Sequence, residues 1–302
     1  MNIPRVLRLG VLVAIPLTAL AGVTEAKASE PVAIIYSLDG EASVATSGTA
    51  RRPLPLFDRL PAGAIVEVGP DSHLALAFSS GLRYELGALS RATLGAKALT
   101  LRSGPVRPLP PVPPLLNLFP IAEDDRPGPS AAAVRIRSER IAGLYPHRGV
   151  AVLEDEAALH FQPVDGARGY RTEVQDDQGG TVFRVDIESP PVKLPAGTLR
   201  AGLRYRWTVR TLDRPGAVAC GGAELVTLSK GAARAREKAR EVLESETPDS
   251  LPLLAEIDRS LGLLLEAREE LRQALDRKPG DPGLRQALAE LEKQLEDENE
   301  LE

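Results

Sequence analysis

Residues 60–104 read LPAGAIVEVGPDSHLALAFSSGLRYELGALSRATLGAKALTLRSG, and their alternation makes the amino-terminal part of the chain a run of short strands. Leu74, Leu76 and Phe78 fall on one side of an extended segment and His73, Ala75 and Ala77 on the other, as a strand with one buried face requires. Leu82, Tyr84 and Leu86 repeat the pattern. Between the two runs, Ser79-Ser80-Gly81 places a glycine where a short hairpin loop needs a positive φ. Upstream, Val32 to Tyr36 and Glu41 to Ala45 predict an opening hairpin around Asp39-Gly40, a strong two-residue turn signal. The expectation is a β-meander.

Three blocks of this region, Ala64-Ile65-Val66, Gly69-Pro70-Asp71-Ser72-His73-Leu74 and Gly81 to Ser90, follow the spacing of the FecR domain, which residues 32–106 resemble. The resemblance implies a β fold and carries no chemical group. From Pro105 the character changes. PVRPLPPVPPLLNLFP and EDDRPGPSAA hold nine prolines, each of which removes a backbone donor and fixes φ, so no central strand or helix is expected. A stiff spacer is the reading, with a proline-rich ligand segment as the alternative.

Residues 141–229 predict a second β unit. Leu159 and Phe161 alternate with His160, Asp165-Gly166 turns into Tyr170, Thr172 and Val174, and Gly179-Gly180 turns into Val182 and Val185. Two spaced blocks resemble a fibronectin type III domain: Leu159, Phe161, Pro163, Val164, Gly166, Ala167 and Tyr170, then Leu199, Gly202, Tyr205, Trp207 and Val209. Phe161 stands where that family usually has Trp. The resemblance implies that the Tyr205 hydroxyl ties to upstream backbone and that Trp207 is core.

From Lys230 the apolar period becomes helical. Residues 248–281 resemble one tetratricopeptide repeat, with Leu251, Leu254 and Ala255 on the first helix, Leu264, Ala267, Leu271 and Ala274 on the second, and Pro279 at the end. Asp258 departs from the pattern, since an aromatic is expected there. Leu284, Leu288, Leu291 and Leu295 continue the stripe on a further helix. A plain helical hairpin is the alternative. In the repeat family the first helices line a concave groove; carried over, this makes Glu256, Arg259, Gln286, Glu290 and Lys293 the candidate partner-binding residues, suited to polar recognition. One repeat and one helix bury too little to stand alone, so the stripe must meet the fibronectin-like unit, another copy of the chain or a partner's segment.

Residues 1–28 read as a secretory leader, with Arg5 and Arg8 before an apolar stretch and Ala26-Lys27-Ala28 as the cleavage site; an uncleaved anchor is the alternative. The 302 residues carry a formal charge of −5, which leader removal shifts to about −7, and this argues against a polyanionic partner such as nucleic acid. A single cysteine, Cys220, cannot form an internal disulfide, as is common in a bacterial periplasm. His73, His147 and His160 lie in no metal-ligand spacing, and His160 is expected to face solvent. The carboxylate run Glu154-Asp155-Glu156 reads as a solvated loop, and no nucleophile, phosphate-loop or dinucleotide motif is present. No catalytic residue and no cofactor is therefore expected. The fold class is mainly β with a C-terminal α segment: leader 1–28, FecR-like unit 29–106, proline-rich linker 107–133, fibronectin III-like sandwich 134–229 and helical, repeat-like end 230–302. The function expected is a non-catalytic exported scaffold of the periplasm or cell envelope that binds envelope proteins. The alternatives are a FecR-type sensor, which the resemblance suggests but whose internal spanning helix the sequence lacks, and a glycan-binding module.

Overall fold

A computed structural model describes residues 30–46, 49–115, 140–147, 150–212, 218–245 and 250–300, with side chains described as far as residue 295. The leader and residues 116–133 of the expected linker lie outside the described residues. The architecture is β followed by α: two β units, then four helices that pack on both.

The first unit runs through β1 (Pro31–Asp39), β2 (Ala42–Ala45), β3 (Arg52–Pro53), β4 (Arg59–Pro61), β5 (Ile65–Val68), β6 (His73–Phe78), β7 (Arg83–Leu86), β8 (Arg91–Leu94), β9 (Leu99–Ser103) and β10 (Val106–Leu109). They form two five-stranded sheets, in the orders β10-β7-β6-β1-β4 and β3-β2-β5-β8-β9. Between the sheets lie Ile35, Leu60, Leu74, Leu76, Phe78 and Leu86 from one and Val44, Val66, Ala92 and Leu94 from the other. The β6–β7 hairpin is in the expected register, Leu74 opposite Leu86 and Leu76 opposite Tyr84. Gly81 turns it at φ 87°, and a Cβ there would meet the Val112 carbonyl oxygen at 2.1 Å, so only glycine fits.

Three expectations are corrected here. Val32 to Tyr36 and Glu41 to Ala45 are strands but not a hairpin, because β1 pairs with β4 and β6 while β2 pairs with β3 and β5. At Gly40 the chain changes sheet, and the Glu41 N–H donates to Ser72 Oγ at 2.9 Å rather than to a cross-strand carbonyl. Leu82 lies in the turn, more than a third exposed, and Arg83 takes the buried place beside it. The proline-rich segment does not leave the unit at residue 107. Pro108 is tolerated because β10 is an edge strand, and the chain continues along the sheet through Val112 N–H to Gly81 O and Leu115 N–H to Ser79 O. Val112 and Leu115 are buried.

The second unit comprises β11 (Ala151–Val152), β12 (Ala158–Leu159), β13 (Gly169–Asp176), β14 (Thr181–Ile187), β15 (Val192–Lys193), β16 (Arg204–Leu212) and β17 (Cys220–Thr227). A five-stranded sheet, β11-β17-β16-β13-β14, faces the pair β12-β15. Trp207 is fully buried between them and its Nε1–H donates to the Pro146 carbonyl at 2.8 Å. The Tyr205 hydroxyl accepts from the Arg200 N–H at 2.8 Å, the expected tie to upstream backbone. Phe161 is buried, edge-on to Tyr170 at 4.9 Å.

The helices are α1 (Lys230–Glu244), α2 (Leu251–Ser260), α3 (Leu264–Arg277) and α4 (Pro282–Glu300). Ser229 caps α1 by accepting from the Ala232 N–H. Leu254, Ala255, Leu264, Ala267, Leu271, Ala274, Leu284, Leu291 and Leu295 are all buried, as the helical period predicts. The apolar stripe meets the chain's own β units. Ala239 and Leu243 of α1 and Leu253, Leu254 and Ile257 of α2 cover Ile34, Tyr36, Ala75 and Ala77 on the outer face of β1 and β6. Tyr145 and Val150 of the second unit join the core of α2 to α4, and the Ala151 N–H donates to the Gly262 carbonyl at 3.0 Å in the α2–α3 turn. β6, expected to have one buried face, is therefore buried on both.

Candidate functional site

A cleft of about 110 Å3 lies between α2, α3 and α4. Ala255, Leu271, Ala287 and Leu291 give it an apolar lining; Glu256, Arg259, Glu290 and Gln294 are its polar groups; Phe57, from the loop between β3 and β4, forms the remaining wall. Three of the five candidate residues, Glu256, Arg259 and Glu290, thus converge on one cleft. Gln286 reaches it only through a hydrogen bond, its Nε2 donating to Glu290 Oε1 at 2.8 Å. Lys293 is exposed and not among the lining residues. The face turned inward is displaced by one position along α4, so that Ala287 and Gln294 stand where Gln286 and Lys293 were expected.

Glu256 differs most from expectation. It is only 4% exposed and belongs to the packing between modules. Its Oε1 accepts from Arg59 of β4 at 2.6 Å and its two oxygens accept from Arg259 one helical turn on, at 2.6 and 2.7 Å. Two cations on one carboxylate satisfy the cost of burying it, and the Glu256 contact, with Glu290 nearby, holds the Arg259 guanidinium above its ordinary pKa. Arg59 and Phe57 are the residues of the candidate site that sequence reasoning missed. A single aromatic in PLPLFDRL has the same local signal as any exposed turn residue, and only its position against the helices gives it meaning.

A second polar cluster lies beneath the cleft. Asp258, fully buried, accepts from Arg236 of α1 at 2.7 and 2.5 Å through both oxygens. Arg240 donates to Glu270 Oε1 at 3.4 Å, and Arg236 stands 3.9 Å from it, while the Glu270 carboxyl also hydrogen-bonds to Asp258. Where the repeat resemblance led to an aromatic being expected, Asp258 forms an ion pair with α1 instead. Burial, and then the neighbouring Asp258, push the Glu270 carboxyl up to about 9 against the pull of Arg236 and Arg240; burial raises Glu266 in the same direction. The folded protein therefore holds a proton on Glu270 that the unfolded chain loses near pH 4.5. Stability from this group is complete below about pH 4.5 and declines as pH rises towards about 9. Glu270→Gln is expected to leave the melting temperature at pH 5 within a few degrees of wild type, raise it at pH 9 and flatten its decline between them. Thermal melts across that range check this; an unchanged slope would show that Glu270 is already ionised in the fold.

His160, expected to face solvent, is half-buried, its ring 6.1 Å from Tyr145. Burial, and then Arg268 of α3, lower its pKa, so it stays neutral near pH 7. Cys220 is exposed at the start of β17. Among the described residues no three His, Cys, Asp or Glu are grouped to hold a metal ion, and no helix is long and apolar enough to cross a membrane.

No protein-family model matches the chain and no curated protein matches it. Among solved structures, the chicken CNTN1 FN1–FN3 domains are similar over 64% of this chain and 54% of that one, at 11% identity and a TM-score of 0.24. The β-D-glucuronidase of Dictyoglomus thermophilum is similar over 64% and 43%, at 9% identity and a TM-score of 0.21. The chain spans about half the length of these two structures.

Proposed function

We propose that this chain is a non-catalytic exported scaffold of the cell envelope, in which a FecR-like unit and a fibronectin III-like unit are joined through a tetratricopeptide-like helical end that presents a protein-binding groove. The observation that carries the reading is the cleft where Glu256, Arg259 and Glu290 converge over an apolar floor. An apolar seat with a few directional polar groups at its edge is the usual anatomy of a peptide anchor site. The packing of the helices on both β units adds to it, because a groove fixed against neighbouring modules gives up little conformational freedom when a partner binds. The leader read in residues 1–28 supplies the compartment.

A photo-reactive residue at position 294, beside the cleft, should crosslink a discrete second polypeptide in the native envelope. The same residue at the exposed Leu203 of the second β unit serves as control. Equal crosslinking at both positions, or none at 294, would sink the reading. Removing residues 230–302 is not a neutral control, since it uncovers Ile34, Tyr36, Ala75 and Ala77.

A further inference from the structure

The loop that carries Phe57 already occupies the helical groove, and it does so imperfectly. Phe57 has φ 62°, a left-handed conformation that is an outlier for a bulky side chain. Such outliers persist where the surroundings over-determine them, and they concentrate at ligand clamps and switch regions. Two bonds to β1 impose it: the Phe57 N–H donates to Ile35 O at 2.8 Å and the Ile35 N–H to Asp58 O at 3.1 Å. The ring is only half-buried, and the cleft of about 110 Å3 remains open beside it. Leu56, the next anchor, packs where α4 begins, and a Cβ on Gly283 would meet the Leu56 Cβ at 2.9 Å. Arg59 completes the set by pairing with Glu256.

The groove thus accepts a leucine, an aromatic ring and, two positions after the ring, an arginine. Its resident occupant is strained, however, and leaves space unfilled. A segment free of the β1 constraint would adopt ordinary φ values and fill the seat more completely. Electrostatics permit the exchange. Glu256 keeps Arg259 when Arg59 withdraws, so no buried carboxylate is left without a cation, the condition that makes breaking a buried pair costly.

We propose, building on the protein-interaction reading above, that the groove binds an extended peptide segment bearing an aromatic residue followed two positions later by arginine. The protein's own Phe57 and Arg59 compete for the same seat. A tethered competitor acts at an effective concentration in the millimolar range, so the intact protein binds such a segment weakly and a protein with an emptied seat binds it well.

The probe is a synthetic peptide of residues 53–60, PLPLFDRL, with PLPLADAL as control, titrated into the full chain. With Phe57→Gly and Arg59→Ala together, which empty the seat and relieve the left-handed backbone, the affinity for PLPLFDRL should rise by about tenfold or more over wild type. Adding Glu256→Gln should lower it again by about tenfold, the loss of a charge-assisted contact. Arg59→Ala alone removes a partly exposed guanidinium and leaves the apolar packing in place, so it tests the same point if the double variant melts early; about a threefold gain is expected there. Equal binding of both peptides, or no gain with either variant, overturns the proposal. Crosslinking at position 294 with no peptide binding would overturn this inference and leave the scaffold reading standing.

Discussion

Replacing Asp258 by alanine is expected to cost about 3 to 5 kcal/mol, because it leaves the Arg236 guanidinium buried without its bidentate partner. Arg236 is 3% exposed and Asp258 0%, so little water reaches the pair to replace the lost carboxylate. Arg236 would be left with Glu270 at 3.9 Å, and removing Asp258 also takes away one of the causes that raise the Glu270 carboxyl, so this contact offsets only part of the loss. Chemical denaturation should show a lowered midpoint at unchanged slope. The decisive comparison is the double variant Arg236→Leu with Asp258→Phe, which puts an aromatic where the repeat pattern places one. Well-packed apolar replacements of buried ion pairs are commonly neutral or stabilising, so the double variant should recover most of the loss. If Asp258→Ala shifts the midpoint by less than about 1 kcal/mol, the range of an exposed pair, the cluster is hydrated and the packing of α1 on α2 rests on apolar contacts alone.

Trp207→Ala is the second large effect, about 3 to 5 kcal/mol against the 5 to 15 typical of a whole domain. The side chain is fully buried among Val174, Tyr205 and Val209, and removing it leaves both a cavity and an orphaned Pro146 carbonyl. Trp207→Phe should cost less in packing yet still lose the hydrogen bond, which separates the two contributions. Because the protein has a single tryptophan, its fluorescence reports directly on this core in the wild type. Thermal melting followed by circular dichroism checks the variants. A melting temperature unchanged in Trp207→Ala would remove this residue from the centre of the second β unit.

What could be read from the sequence was what short-range physics determines. The β6–β7 hairpin was legible because the strands are joined by a short turn and alternate at period two. The helices α2 to α4 were legible because their stripes repeat every three or four residues. Membership of a sheet was not, because β1 pairs with strands 25 or more residues away and the turn at Gly40 looks the same whether it closes a hairpin or changes sheet. In the candidate site, Glu256, Arg259 and Glu290, carried over from the repeat resemblance, do converge. Gln286 and Lys293 stand just off the cleft, since phase locates a face only to within one position. Phe57 and Arg59 were out of reach for a different reason. Their significance comes from packing against helices about two hundred residues later, and no local pattern encodes it.

β1 belongs to two cores, with Ile35 towards the opposite sheet and Ile34 and Tyr36 towards α1 and α2. This sets a timetable. The chain must make its first strand long before it makes that strand's outer covering: Arg59 and Glu256, at the same junction, are 197 residues apart. At the usual 5 to 20 residues per second, a nascent chain waits roughly 10 to 40 s between the two. Throughout that interval the outer face of β1 and β6 is an uncovered apolar surface on an otherwise completed sandwich. That face is covered only when the last quarter of the chain arrives.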